Sequence, residues 1–299
     1  MGWLTRTRAL RFVYTPSTRS SGTTVMRGKQ LADLVAASGL RHSTITFEPI
    51  DLRVRNSDLF LTKGAARTTS PDQVERLQRR GNRVFLDPVD EGIDEETVRA
   101  ADGLAAASFS AYYDWSARWP TTKVVRVDHH VDPRLRKILQ ARTDLSAARR
   151  MMSIRYFGER ENALMTPQIA EEVEFVQVDT HRQDDTWMSS VAGTDLHYAI
   201  RRARALDVHK PFLKGFTAAA AGANILVSRD EAEAHYWLPQ NYPYWVGEGA
   251  TEGVILSALE YARDTFNGPL WHDAHQVMRE VSEQTRNEVI VREFIELVA

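Results

Sequence analysis

Arg201, Arg202, Lys210 and Lys214 put four cations into one short stretch of chain. The arginines close the apolar run DLHYAI (195–200), and the lysines flank the start of HKPFLKGFTAAAAGANILVS (209–228). Arginine offers a planar bidentate fork and lysine a compact point charge, so together they suit the paired phosphoryl groups of a diphosphate. The later segment predicts a helix, a glycine stop and a strand. Pro211 can open the helix because an amide there has no intrahelical partner, and the alanines lose almost no side-chain entropy on entering it. Gly222 ends the helix, and the apolar, β-branched run 224–228 predicts a short buried strand on which an alanine face packs closely. Cations in a first turn oppose the helix dipole unless an anion sits there, and the free N–H groups at that end favour a phosphate. The plainer reading is that Lys210 and Lys214, four apart on one face, are solvated, and that Arg201, Arg202 and Arg204 form an exposed basic segment.

Other candidate groups are scattered. Asp128, His129, His130 and Asp132 of DHHVD could ligate a metal, but neighbours on an extended segment point to opposite sides, so contact with a ligand at a cleft is preferred. An imidazole there could hydrogen-bond a hydroxyl or act as a base near neutral pH. Asp184 and Asp185 read as a helix cap or a solvated loop rather than a metal pair. Near the start, the loop TPSTRSSG (15–22) follows a predicted strand, where open α/β sheets bind ligands, so Arg19, Ser20 and Ser21 face a cleft or lie in a solvent loop. No G-x-G-x-x-G fingerprint accompanies it, which argues against NAD or FAD. The run YPYWV (242–246) could stack on a base or sugar, although core packing explains aromatics more often.

The elements that must position these groups alternate. Strands are predicted at 9–14, 43–48, 58–62, 84–87, 103–107 and 123–127, with helices at 24–37, 71–80 and from 95, and an aromatic amphipathic stretch at 112–119. A linking helix is expected over 139–150, after which strand and helix alternate again through 152–157, 167 onward, 174–178 and 195–200. A short helix at 230–238 and three closing helices at 251–265, 269–284 and 286–298 complete the chain. This pattern predicts an α/β protein of two Rossmann-like lobes facing a central cleft, divided into 1–140 and 141–299, with C-terminal helices.

Composition sets the outer bounds. At 299 residues, 43% hydrophobic and 26% charged, the chain is ordinary for a soluble globular protein, and a net charge of −2 gives no global attraction for nucleic acid. Cysteine is absent, which removes disulfides, thiolate metal sites and thiol nucleophiles and agrees with a reducing cytoplasm. The apolar run at the N-terminus is too short for a secretory core or a membrane span, so a cytoplasmic protein, at most peripheral to a membrane, is expected. Nothing in the composition fixes an oligomeric state.

RSSGTTVMRGKQLADLV, VFLDPVD, DHHVDP, IRYFGERENAL, DLHYAIRR and KPFLKGFTAAAAGANILVS together resemble a glycosyltransferase of the two-lobed GT-B class, of the group 1 or family 4-like kind. The resemblance implies a C-terminal lobe that binds a nucleotide-diphosphate sugar as co-substrate. It implies an N-terminal lobe that holds a glycan, lipid-linked or natural-product acceptor, with no metal and no further cofactor. Arg201, Arg202, Lys210 and Lys214 match the part that offsets the leaving diphosphate's charge, with Arg202 and Lys210 as catalytic groups. His129 or His130 would contact the transferred sugar or the acceptor. Gly158, Thr217, Glu231, Ser20 and Ser21 join the substrate-binding set, Glu231 towards ribose or sugar hydroxyls. Many such enzymes carry two glutamates across the opening of the helix where this chain has Lys210 and Ala218, which leaves a retaining or inverting outcome open.

Two rivals share the expected fold: a two-lobed nucleotide-sugar-binding or sensor module without chemistry, and a nucleotide-sugar isomerase or hydrolase. The first would bind without turnover, and the second would form product with no acceptor present.

Overall fold

A computed structural model of the chain describes residues 8–40, 42–141, 151–179, 185–202 and 208–299. Most of the linking helix expected at 139–150 lies outside them, as do Asp184 and Arg204. Two compact units emerge: residues up to His130 together with Val208–Pro211 and Asn287–Ala299, and Val131–Asp207 together with Phe212–Arg286. In place of a single boundary after residue 140, the division falls at His130, and two later pieces of chain return to the first unit.

The first unit is built on strands β1 (Ala9–Tyr14), β2 (Ile45–Pro49), β3 (Ser57–Leu61), β4 (Arg83–Val89), β5 (Gly103–Ala106) and β6 (Val124–Arg126). They form one parallel sheet in the order β2-β1-β3-β4-β5-β6. Both faces are covered, which explains why β3 and β5 read as unbroken buried runs rather than alternating ones. Phe12, Phe60 and Phe85 point to one face, and Leu59, Leu61 and Leu86 to the other.

The final helix, Asn287–Val298, closes the first of these faces. Its buried stripe of Ile290, Val291, Phe294, Leu297 and Val298 recurs at helical spacing, and Phe294 sits 5.1 Å from the rings of both Phe12 and Phe60. The closing helices expected in the second lobe are therefore shared: this one belongs to the first unit. Arg83 ties it down by donating to the Val298 carbonyl at 2.6 Å while pairing with the buried Asp58.

The second unit repeats the plan with β7 (Ile154–Gly158), β8 (Glu174–Gln177), β9 (Leu196–Tyr198), β10 (Asn224–Ser228) and β11 (Trp245–Val246). All pair in parallel, in the order β8-β7-β9-β10-β11. In both sheets the second strand lies outside the first and the third lies inside it, so the chain reverses its direction of winding between first and third strands. Open α/β sheets bind ligands at such a point, beyond the carboxyl ends of the strands. The aromatic run before β11 packs inward: Tyr242 and Tyr244 are buried, and Tyr242 bonds the Ile225 backbone through its hydroxyl. The helix expected over 230–238 shrinks to one turn, Ala234–Trp237, preceded by turns.

Candidate functional site

At the reversal point of the second sheet, β7 ends in Gly158 and β9 runs on into Arg201 and Arg202. The two exits are stitched together: Ala163 bridges Arg201, and the Arg202 amide donates to the Asn162 carbonyl at 3.1 Å. Arg201 is largely enclosed and lies 3.9 Å from the Glu231 carboxylate, which stands in the turn after β10. Arg202 is exposed. Four of the expected site residues, Gly158, Arg201, Arg202 and Glu231, thus share one edge of one sheet.

Lys214 joins them from the alanine-rich helix, Leu213–Ala220, which lies between β9 and β10 in sequence. Its ammonium donates to the Phe157 carbonyl and sits 4.0 Å from the centre of the Tyr156 ring. The helix buries Gly215, Phe216, Ala218 and Ala219 and packs against the helix Pro269–Gln284, where small side chains allow close approach. Thr217 is half-buried on the same helix. Gly222, at φ +67°, supplies the expected stop.

The two lysines do not share a helical face, contrary to the expectation. Phe212 folds its ring over Gly215, and the helix begins only after it, at Leu213. Pro211 therefore precedes the helix instead of opening it. Lys210 lies in the segment Val208–Pro211, which belongs to the first unit; there the Ser108 hydroxyl donates to the His209 carbonyl at 3.0 Å, and His209 pairs with Asp114.

In the first unit, His129 and His130 follow β6 at the carboxyl edge of the sheet, and both are buried. His130 holds its Nε2 3.0 Å from Gln30 Oε1. Burial, aided by Arg27, His130 and Lys63, pushes His129 well below its ordinary value, so it is a neutral imidazole at physiological pH. Its Nδ1 is buried with no hydrogen-bond partner among the described residues. Asp132 pairs with Arg134. No group of three or more metal-ligating side chains occurs among the described residues.

In the loop after β1, Ser20 is exposed, whereas Ser21 caps the next helix by accepting from the Thr24 amide. That helix spans 22–37 and widens to π geometry over Val25–Gln30, a feature concentrated at functional sites. Gly28 lets this turn lie close against β2, because a Cβ there would stand 2.5 Å from the Phe47 ring. From this wide turn Arg27, wholly enclosed, grips both oxygens of the equally enclosed Asp87 at 2.9 and 2.8 Å. Sequence reading passed over Arg27 and Asp87. Their signals, an arginine in the first helix and an aspartate within a buried strand, become meaningful only when two elements sixty residues apart meet.

Three solved structures superpose on nearly the whole chain. A glycosyltransferase from Rickettsia africae matches with a TM-score of 0.64 at 9% identity, over 97% of each chain. An alpha-glucosyltransferase, solved with UDP and a 13-mer DNA containing an HMU base, matches with 0.62 at 10% identity, over 98% of this chain and 99% of that one. The chain has the GT-B fold. HepE from Anabaena, solved with UDP and glucose, shares this GT-B architecture with a TM-score of 0.60 at 11% identity, over 97% of this chain and 99% of its own. No family model and no curated protein matches the sequence. The GT-B likeness is thus one of fold and leaves chemistry to the site itself. No described helix is long and apolar enough to cross a membrane.

Proposed function

We propose that this protein is a glycosyltransferase that moves a sugar from a nucleotide-diphosphate sugar to an acceptor hydroxyl. One observation carries the reading: Arg201, Arg202, Lys214 and the close-approach residue Gly158 converge on the reversal point of the second sheet, with Glu231 beside them. Cations fixed at such a point meet the charge that develops on a leaving diphosphate, and they do so without reorganising during the reaction. They make a metal dispensable for that step. Glu231, already turned towards Arg201, suits ribose or sugar hydroxyls. His129, neutral and with a buried Nδ1 that has no hydrogen-bond partner among the described residues, suits a hydroxyl of the transferred sugar or the acceptor. Glycans, lipid-linked sugars and natural products are the acceptor classes in view, and the cytoplasm is the compartment. The GT-B neighbours solved with UDP support the donor class.

A panel of nucleotide sugars tests the reading. Stabilisation of the fold by one nucleotide, release of that nucleotide only when an acceptor is supplied, and loss of release in Lys214→Ala are the expected results. Binding without release would favour a sensor, and release without acceptor a hydrolase or isomerase.

A further inference from the structure

Arg27 makes four hydrogen bonds from a fully enclosed side chain. Nε and Nη2 go to the two oxygens of Asp87, and Nη1 goes to the carbonyls of Val127 at 2.6 Å and Asp128 at 3.0 Å. Those carbonyls belong to the last two peptide groups before His129. On the other side of the same backbone, the Asp128 amide donates to Glu293 at 3.0 Å. His130 is held by Gln30, which lies on the same wide turn as Arg27. These anchors of the two imidazoles run through that wide turn, the end of β4 and the last helix.

Stability alone does not account for this arrangement. Two charges in a dry interior lose their hydration, and apolar side chains of similar volume commonly serve the fold as well or better. The irregularities gather around the pair: the π-helical turn bears Arg27, the β4–β5 register shifts between Leu86 and Val89, and Val89 is buried at φ +64°, a conformation that a β-branched residue rarely adopts. Strain persists where the surroundings over-determine it, and it concentrates at functional sites.

We propose that Arg27, locked to Asp87, is a positioning residue that fixes the backbone leading into His129 and so sets where both imidazoles stand at the ligand edge of the first sheet. The consequence for catalysis rests on the sugar-transfer reading; the positioning itself does not.

The test uses Arg27→Met, the double variant Arg27→Met/Asp87→Leu and Arg27→Lys, each compared with the parent in thermal unfolding, in imidazole nitrogen–proton NMR spectra, in UDP affinity and in kcat and KM for the acceptor. Arg27→Met leaves Asp87 buried and unpaired and lowers the melting temperature; the double variant, with no buried charge, recovers most of it. In both, the His129 and His130 signals move and kcat falls about 10- to 100-fold, the scale of a small misplacement, while UDP affinity stays within about twofold. A double variant with parental stability, parental imidazole signals and parental kcat overturns the proposal. If neither methionine variant folds, Arg27→Lys decides, since it keeps the charge but lacks the fork: displaced signals support positioning and unmoved ones overturn it. Should the parent bind no nucleotide and turn over no nucleotide sugar, the sugar-transfer reading fails, yet the imidazole signals still settle whether Arg27 positions them.

Discussion

The Lys214 ammonium is bonded to the carbonyl of Phe157, one residue before the chain turns at Gly158, and it rests over the Tyr156 ring. A helix thereby delivers a cation to the end of a neighbouring strand. Lys214→Met keeps the aliphatic stem and deletes the charge. A charge-assisted contact of about 1.5–3 kcal/mol corresponds to a loss of about 10- to 100-fold in affinity for a nucleoside diphosphate. Titration calorimetry with UDP checks this, and affinity within twofold of the parent would remove Lys214 from the phosphate site.

Gly158 stands at φ +148°, in a region open essentially to glycine, and a Cβ there would lie 3.2 Å from the Lys214 ammonium. Gly158→Ala should therefore cost about 1–3 kcal/mol of folding free energy. It should also weaken diphosphate binding by pushing the lysine aside. Urea unfolding and the same UDP titration separate the two effects; a variant that is destabilised but binds normally would confine Gly158 to the backbone.

Much of this was legible beforehand, for reasons that differ from residue to residue. The strand 224–228 and the helix 269–284 stand where they were read, because a β-branched run after glycine and a proline-opened amphipathic stretch carry their signals locally. That Arg201 and Lys214 both stand at the carboxyl end of the second sheet is what parallel strands ending at one edge imply. Lys210 was read onto the helix because the Pro211 signal is local, whereas the packing of Phe212 on Gly215 that delays the helix is not. The Arg27–Asp87 pair and the return of the last helix to the first sheet depend on contacts across 60 and more than 200 residues, to which periodicity is blind.

Asp58 anchors that return. Burial raises its carboxyl, but hydrogen bonds from Arg83 and His42 and the charges of Arg83 and Arg8 outweigh it and hold it below the ordinary 3.8. A carboxylate with a depressed folded value contributes its stability above the unfolded value and loses it as pH falls through the folded one. Acid should thus weaken the fold below about pH 4, and the contact between Arg83 and the Val298 carbonyl should open with it. Asp58→Asn should lower stability at pH 7 by about 3 kcal/mol and flatten that acid loss. Hydrogen exchange at the amides of the last helix reads the opening; equal acid sensitivity in parent and variant would exonerate Asp58.

His197 gives an acid loss of the same sign within the second unit, but from a group held neutral rather than charged. It sits in the middle of β9, 4% exposed and 5.0 Å from the Phe157 ring, and its Nε2 is buried without a hydrogen-bond partner among the described residues. Burial first, then Lys214 and Arg155, push it from 6.5 down to about 3. The unfolded chain takes up this proton below about pH 6.5 and the folded chain does not, so stability falls as pH drops across the interval down to about 3. The slope is about 1.4 kcal/mol per pH unit, which gives about 2 kcal/mol at pH 5. His197→Phe binds no proton in either state. Its unfolding free energy relative to the parent should therefore rise with that slope between pH 6 and pH 4. Removing the nearby charge with Lys214→Met should raise the folded value and so narrow the pH interval over which stability is lost, and a diphosphate bound beside Lys214 should act in the same direction. Parallel curves for parent and His197→Phe from pH 7 to pH 4 would mean that the folded protein takes up that proton as readily as the unfolded chain, which a dry strand beside Lys214 forbids.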